Sequence, residues 1–243
     1  MKRLWNAEWQ NIKFNELDVN LSFFKRASPE FYSIFYDKLF NLYGSFDDLP
    51  SDWKEEKINT TKQISLLVGH EDLILSYGCG LGFIEKELAY TYNIKNIDAF
   101  DFAKTASKWI KGFDKVKCIN NLEDKKKYDF IYSCQLLYAL SNKELNDFIL
   151  LIKENINVNG KFLTINTSSS TIENGARPIS VSNKIKNFIR PIFWFLLRRD
   201  IYQFWGWERN NSELLKIFKK NGFHLSKSFS AEKQSFLLFE LDS

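Results

Sequence analysis

Histidine, cysteine and proline are all scarce in this chain, and no apolar run is long. There are two His, three Cys and four Pro among 243 residues. The cysteines, Cys79, Cys118 and Cys134, include no Cys-x-x-Cys pair. So sparse and odd a set excludes a disulfide framework and a zinc site, and it points to a reducing, cytoplasmic setting. The longest apolar run, 192–197, falls far short of the roughly 20 residues a membrane-crossing helix requires. The opening stretch "MKRLWNAEWQNIKF" has basic residues but no apolar centre, so export is not expected. Charge of one sign is also lacking: the net value is +4, with Lys and Arg spread along the chain. No nucleic-acid partner is expected from that distribution.

What the chain has in quantity is aromatic surface, with 23 Phe, 10 Tyr and 7 Trp. Either the core or a pocket must be rich in rings. From residue 73 onward, short apolar runs alternate with helical patterns, the signature of a parallel sheet wrapped by helices. The spacing predicts strands at 73–77, 96–100, 116–119, 129–133 and 161–166, with helices starting near Gly82, Ala103 and Asn142. Ser141 with Glu144 forms a capping box for the last of these, and Leu145, Phe148, Ile149, Ile152 and Ile156 give it one apolar face. Asn159-Gly160 is expected to end that helix. Asn210 with Glu213 opens a further helix, and "FHLSKSF" and "SFLLFEL" read as a terminal β-hairpin. Residues 1 to about 70 read as helical.

The stretch "LILSYGCGLGFIEKELA" runs from a strand into a helix through Gly78-Cys79-Gly80-Leu81-Gly82. Glycines there leave backbone amides and a positive helix end open to a ligand. Phe83 stands where the dinucleotide fingerprint G-x-G-x-x-G needs a small residue, which disfavours a pyrophosphate cofactor. Asp101 ends the second core strand, 19 positions after Gly82, where a carboxylate can accept hydrogen bonds from ribose hydroxyls.

With "YDFIYSCQLLYAL", "VNGKFLTI" and "KKNGFHL" in order behind it, this pattern resembles the class I S-adenosylmethionine-dependent methyltransferases over roughly residues 65–240. The resemblance implies an α/β, Rossmann-like doubly wound fold with a mostly parallel seven-stranded sheet ending in a β-hairpin. An N-terminal helical cap at 1–65 would precede a core at 66–243, with an insertion or lid at about 168–209, after the fifth strand. It also implies S-adenosylmethionine as cofactor and a cytoplasmic enzyme. Ser76, Tyr77, Gly78, Gly80 and Gly82 would flank the methionyl part, Asp101 would hold the ribose, and Phe102 would border the adenine. Asn121 and Leu122 would lie near the adenine amino group, and Gln135 and Leu136 beneath the methionyl moiety. The family usually carries Asp or Glu two residues before the first glycine, and here that position is Ser76.

The acceptor is less defined. His70 and His224 should both lie at the amino ends of strands, away from the crevice. The base is then a carboxylate, Tyr or Lys, or the acceptor arrives unprotonated. Arg177, Arg190, Arg198, Arg199 and Arg209 could pair with a phosphate or carboxylate; Arg209 and Tyr138 are the residues expected to position the acceptor. The segment "NFIRPIFWFLLRRDIYQFWGW" reads as a lid, as an amphipathic face touching a membrane, or as packing on the sheet. The expected reaction is methyl transfer to a small polar acceptor: a sugar, a sugar nucleotide, or a phosphorylated or carboxylated metabolite, with a surface-glycan precursor as one case. An RNA or other macromolecule methyltransferase and a non-catalytic binding protein are the alternatives. Oligomeric state is not legible.

Overall fold

The computed structural model describes residues 2–106, 108–122, 126–167 and 202–242. The chain begins as strand rather than helix: β1 (Lys2–Asn6), then the two-residue strands β2 (Glu8–Trp9) and β3 (Ile12–Lys13). This corrects the helical expectation for the first residues. β1 pairs antiparallel with residues 203–208, and Trp5 stacks on Phe23 at 4.9 Å, so a partner from the far end of the chain decides the local conformation. Helices follow as expected. α1 (Pro29–Leu42) starts from Ser28, whose side chain accepts the Phe31 N–H, with Pro29 at the first helical position. Its buried face carries Phe31, Phe35, Tyr36, Leu39 and Phe40. α2 (Ser51–Ser65) starts within "LPSDW", directly after Pro50.

The central elements are β4 (Leu73–Tyr77), α3 (Phe83–Tyr90), β5 (Asn96–Phe100), β6 (Val116–Ile119), β7 (Tyr128–Cys134), α4 (Asn142–Asn155) and β8 (Ile156–Thr167). After them come β9 (Gln203–Glu208), α5 (Asn211–Lys220), β10 (Phe223–Ala231) and β11 (Gln234–Leu241). Seven strands form one sheet in the order β10-β11-β8-β7-β4-β5-β6. β4 to β8 are mutually parallel, while β11 runs antiparallel to β8 and closes the terminal hairpin with β10. The expected doubly wound, seven-stranded sheet is therefore present. Because β5 and β6 wind to one side of β4 and β7 and β8 to the other, a crevice opens at the carboxyl ends of β4 and β7.

Successive residues of each strand face opposite layers. Ile74, Phe130 and Leu163 join the core shared with α1, whereas Leu75, Ile131 and Phe162 join the core shared with α4 and α5. Both predicted capping boxes are formed, Ser141 with Glu144 and Asn210 with Glu213.

Two local expectations are corrected. No α-helix starts near Ala103 among the described residues; the chain makes tight turns and a 3-10 turn, Lys108–Ile110. The Lys104 N–H donates to Ser33 Oγ and the Thr105 hydroxyl to the Ser33 carbonyl, so α1 ties this segment down before a helix can propagate. The second concerns α4, which stops at Asn155. Ile156 already pairs with Tyr128, and residues 157–160 form an irregularity inside β8 before Lys161 pairs with Phe130. Gly160 is needed there, since a Cβ would lie 2.7 Å from Ile156 Cγ1 and 2.9 Å from the Tyr128 carbonyl. The predicted lid segment, with Arg177, Arg190, Arg198 and Arg199, lies outside the described residues up to 201.

Candidate functional site

The glycine turn leaves β4 at its carboxyl end. Gly78, Gly80 and Gly82 have φ of 82°, 55° and 79°, left-handed values that favour residues without a Cβ. A Cβ on Gly82 would come within 2.6 Å of Ile110, and one on Gly80 within 3.0 Å of the Tyr36 hydroxyl. The turn is held by its own backbone: the Gly78 and Cys79 N–H groups donate to the Phe100 carbonyl at 2.8 and 3.0 Å. Asp101 completes the clamp, accepting the Gly80 N–H at 2.9 Å and the Ala103 N–H at 2.8 Å. Burial raises the Asp101 pKa, and these two amides oppose that shift by favouring the carboxylate.

The turn opens into a cavity of about 500 Å³, a volume ordinary for a small-molecule site. Ser76, Tyr77, Gly78, Gly80, Asp101 and Phe102 line it, as do Gln135, Leu136 and Tyr138 across the crevice. Phe102 is 52% exposed and stands edge-on to Tyr77 and Phe100, a free aromatic face at the rim. Gln135 holds a positive φ of 53°, a strained value for a residue with a side chain. Gly82, Asn121, Leu122 and Arg209 do not line the cavity. Gly82 instead caps α3 beneath it, Asn121 is exposed beyond β6, and Leu122 packs towards the α4 side of the sheet.

The opposite wall comes from the N-terminal region, which sequence reading placed only as a cap. Trp9, Tyr32, Tyr36 and Trp53 face the cavity together with Tyr138. Behind them Trp205 stacks on Phe14 at 5.2 Å and on Tyr138 at 6.2 Å. Burial raises the pKa values of Tyr32 and Tyr36 and pushes Tyr138 up to about 12. These phenols therefore stay protonated at neutral pH. Lys57 from α2 is 6% exposed, reaches into the cavity, and donates to Gln135 Oε1 at 3.1 Å and to Glu56 Oε1 at 3.2 Å. The sequence read this region only as helical, and nothing in it showed that Lys57 faces inward.

Glu85 is the other residue that sequence reading missed. It sits in the first turn of α3 and lines the cavity beside Ser76, whose hydroxyl donates to Glu85 Oε1 at 2.5 Å. Arg209, expected to meet an acceptor, holds main chain instead. Its guanidinium donates to the Leu137 carbonyl at 2.7 Å, the Leu140 carbonyl at 2.5 Å and Asn142 Oδ1 at 3.2 Å. Arg26 grips the same loop from the other side, donating to the Ala139 carbonyl and pairing both carboxylate oxygens of Glu144. Tyr138 is thus fixed between two arginine clamps. His70 and His224 are exposed and do not line the cavity, as their places at strand starts implied. Among the described residues no helix is long and apolar enough to cross a membrane.

No protein-family model and no curated protein matches the sequence. Solved structures do match. The CcbJ methyltransferase from Streptomyces caelestis superposes with a TM-score of 0.60 at 11% identity, over 89% of this chain and 100% of that one. DhpI, solved in complex with SAH, gives 0.60 at 10% identity, over 89% and 96%. Human N-acetylserotonin methyltransferase in complex with SAM gives 0.57 at 14% identity, over 89% of this chain. The chain spans 57% of that human protein and 58% of the mitomycin 7-O-methyltransferase MmcR. This chain has the Rossmann-like fold of the class I S-adenosylmethionine-dependent methyltransferases.

Proposed function

We propose that this protein transfers a methyl group from S-adenosylmethionine to a small-molecule acceptor that lays a ring against the aromatic wall. The observation that carries the reading is the glycine turn clamped by Asp101 at the sheet's switch point, opening on that cavity. The residues fit the cofactor: the turn has no room for a Cβ, and each Asp101 oxygen accepts one amide and keeps a lone pair for a hydroxyl. Phe102 offers a flat face at the rim for a base. When bound, the cofactor supplies an electrophilic methyl group on a sulfonium.

The chain's own part is alignment and exclusion of water. Trp9, Tyr32, Tyr36 and Tyr138 present ring faces and hydroxyls, a combination suited to a sugar or another planar ring bearing polar groups. Lys57 stands at the same wall already paired with Glu56 and Gln135, so an acceptor carboxylate or phosphate would share its charge with Glu56. With the phenols held protonated and both histidines outside, the acceptor atom enters with its lone pair available, and the tyrosines orient it.

Calorimetric titration with S-adenosylhomocysteine tests the cofactor half. Binding is expected, and Asp101→Ala should weaken it at least about tenfold through loss of the carboxylate. A wild-type protein that binds none would overturn the proposal. Labelled methyl transfer to a panel of sugars, nucleotide sugars, aromatic acids and phosphorylated metabolites tests the other half, with RNA as the contrasting substrate. Incorporation confined to RNA would refute the small-molecule acceptor.

A further inference from the structure

Glu85 is 1% exposed and carries a carboxylate that is only half used. Oε1 accepts from the Ser76 hydroxyl of β4 and from the Tyr132 hydroxyl of β7, both at 2.5 Å. Oε2 is buried with no hydrogen-bond partner, and the residue lines the cavity immediately behind the glycine turn. An unpaired buried carboxylate oxygen is expensive, and native structures rarely keep one without a reason. Among the described residues no cation pairs with it, since Lys57 is engaged with Glu56 and Gln135. Asp101 adds a second negative group to the same cavity and makes ionisation of Glu85 harder still. The arrangement is a preformed receptor for a positively charged donor.

We propose that Glu85 is the anion that receives the α-ammonium of the cofactor's methionyl part, with Ser76 and Tyr132 as the positioning residues that aim its carboxylate. The inference rests on the cofactor reading above. It also accounts for the departure at Ser76: the acid usual at that strand position is supplied from the first turn of the next helix, and the serine hydroxyl orients it. The local geometry makes this exchange workable, because Ser76 and Glu85 are in direct hydrogen-bond contact. A carboxylate on either residue therefore occupies the same corner of the cavity.

The test is calorimetry on the full chain with two ligands. S-adenosylhomocysteine carries the amino-acid ammonium; 5′-methylthioadenosine lacks it. Glu85→Gln keeps the size of the side chain and an oxygen to accept from Ser76 and Tyr132. It should weaken S-adenosylhomocysteine about tenfold to a hundredfold, the range for a hydrogen bond to a charged group, while changing methylthioadenosine less than about twofold. Ser76→Asp combined with Glu85→Gln should recover most of the lost affinity. Equal S-adenosylhomocysteine affinity in wild type and Glu85→Gln overturns the inference. So does an equal loss for both ligands, which would make Glu85 a shape residue only. If the wild type binds neither ligand, the cofactor reading falls first and this inference with it. A thermal melt of the ligand-free Glu85→Gln protein, at or above the wild-type midpoint, shows that the variant is folded.

Discussion

The glycine-turn wall of the cavity is drawn from neighbouring residues on β4, α3 and β5, whereas the aromatic wall is drawn from Trp9, α1, α2, the loop after β7 and, behind it, β9. The first is largely backbone: amides, carbonyls and the left-handed Gly78 and Gly80, with Asp101 and Glu85 as its charged side chains. The second is almost wholly side chain. A backbone wall can recognise only what every user of the fold shares, and it admits few substitutions. A side-chain wall can be refitted residue by residue, so differences in acceptor can arise there while the turn stays the same.

The sharpest way to break this comparison is to add a side chain to the turn just beneath the backbone wall. Gly82→Val places a Cβ 2.6 Å from Ile110 in a conformation with φ of 79°, so overpacking and backbone strain combine. Summed, they are expected to cost about 3–5 kcal/mol in a denaturant melt. Gly112 is the control: its φ is 93°, but nothing lies within 4 Å of an added Cβ. Gly112→Ala should cost only about 1 kcal/mol of strain. Similar losses at the two positions would mean that the turn is not sterically closed against Ile110.

On the side-chain wall the expected effect is smaller and falls on a different ligand. Tyr138→Phe removes one hydroxyl while leaving the stack on Trp205. Acceptor KM should rise about three- to tenfold, the value of one neutral hydrogen bond, with S-adenosylhomocysteine affinity unchanged. A change in cofactor affinity of the same size would show that the two walls are not separable.

These two walls also differ in how far they can be read from sequence. The core strands and the turn were legible because period, glycine spacing and capping boxes are local signals, and the seven-stranded architecture came from the resemblance those signals carry. Asp101 was legible for the same reason, lying directly after its strand. The aromatic wall was legible only in part: the helix carrying Tyr32 and Tyr36 read as a cap on the cofactor or as ordinary core, while Trp9 and Trp53 join it only through tertiary packing and β1 finds its partner in β9. Glu85, three residues beyond Gly82, carries no signal of its own in the sequence. Its role emerges only when Ser76 and Tyr132 are seen to converge on it from two parallel strands. Arg209 shows the reverse case, where residue type pointed to an anion and the guanidinium meets three oxygens of the protein itself.

The smallest expected effect separates carboxylates outside the turn from those inside it by the sign of their pH dependence. Burial works against ionisation of Glu144, but hydrogen bonds from Arg26 and Ser141 prevail and hold its pKa at about 2, below the ordinary 4.5. Its contribution to stability is therefore complete above about pH 4.5 and is lost as pH falls towards 2. The Glu144 side chain is 42% exposed, so solvent screening keeps the pair to about 1 kcal/mol or less. Glu85 and Asp101 are shifted upward by burial from 4.5 and 3.8. In the ligand-free protein their contribution is complete below those ordinary values and declines as pH rises through the folded ones. Melting midpoints followed from pH 2 to 8 should show Arg26→Met flattening the acid limb of the profile and Glu85→Gln lifting the neutral one. If Arg26→Met instead lowers the midpoint by the same amount at every pH, the Arg26 contribution lies in its bond to the Ala139 carbonyl. The ion pair with Glu144 would then add nothing to the clamp on the Tyr138 loop.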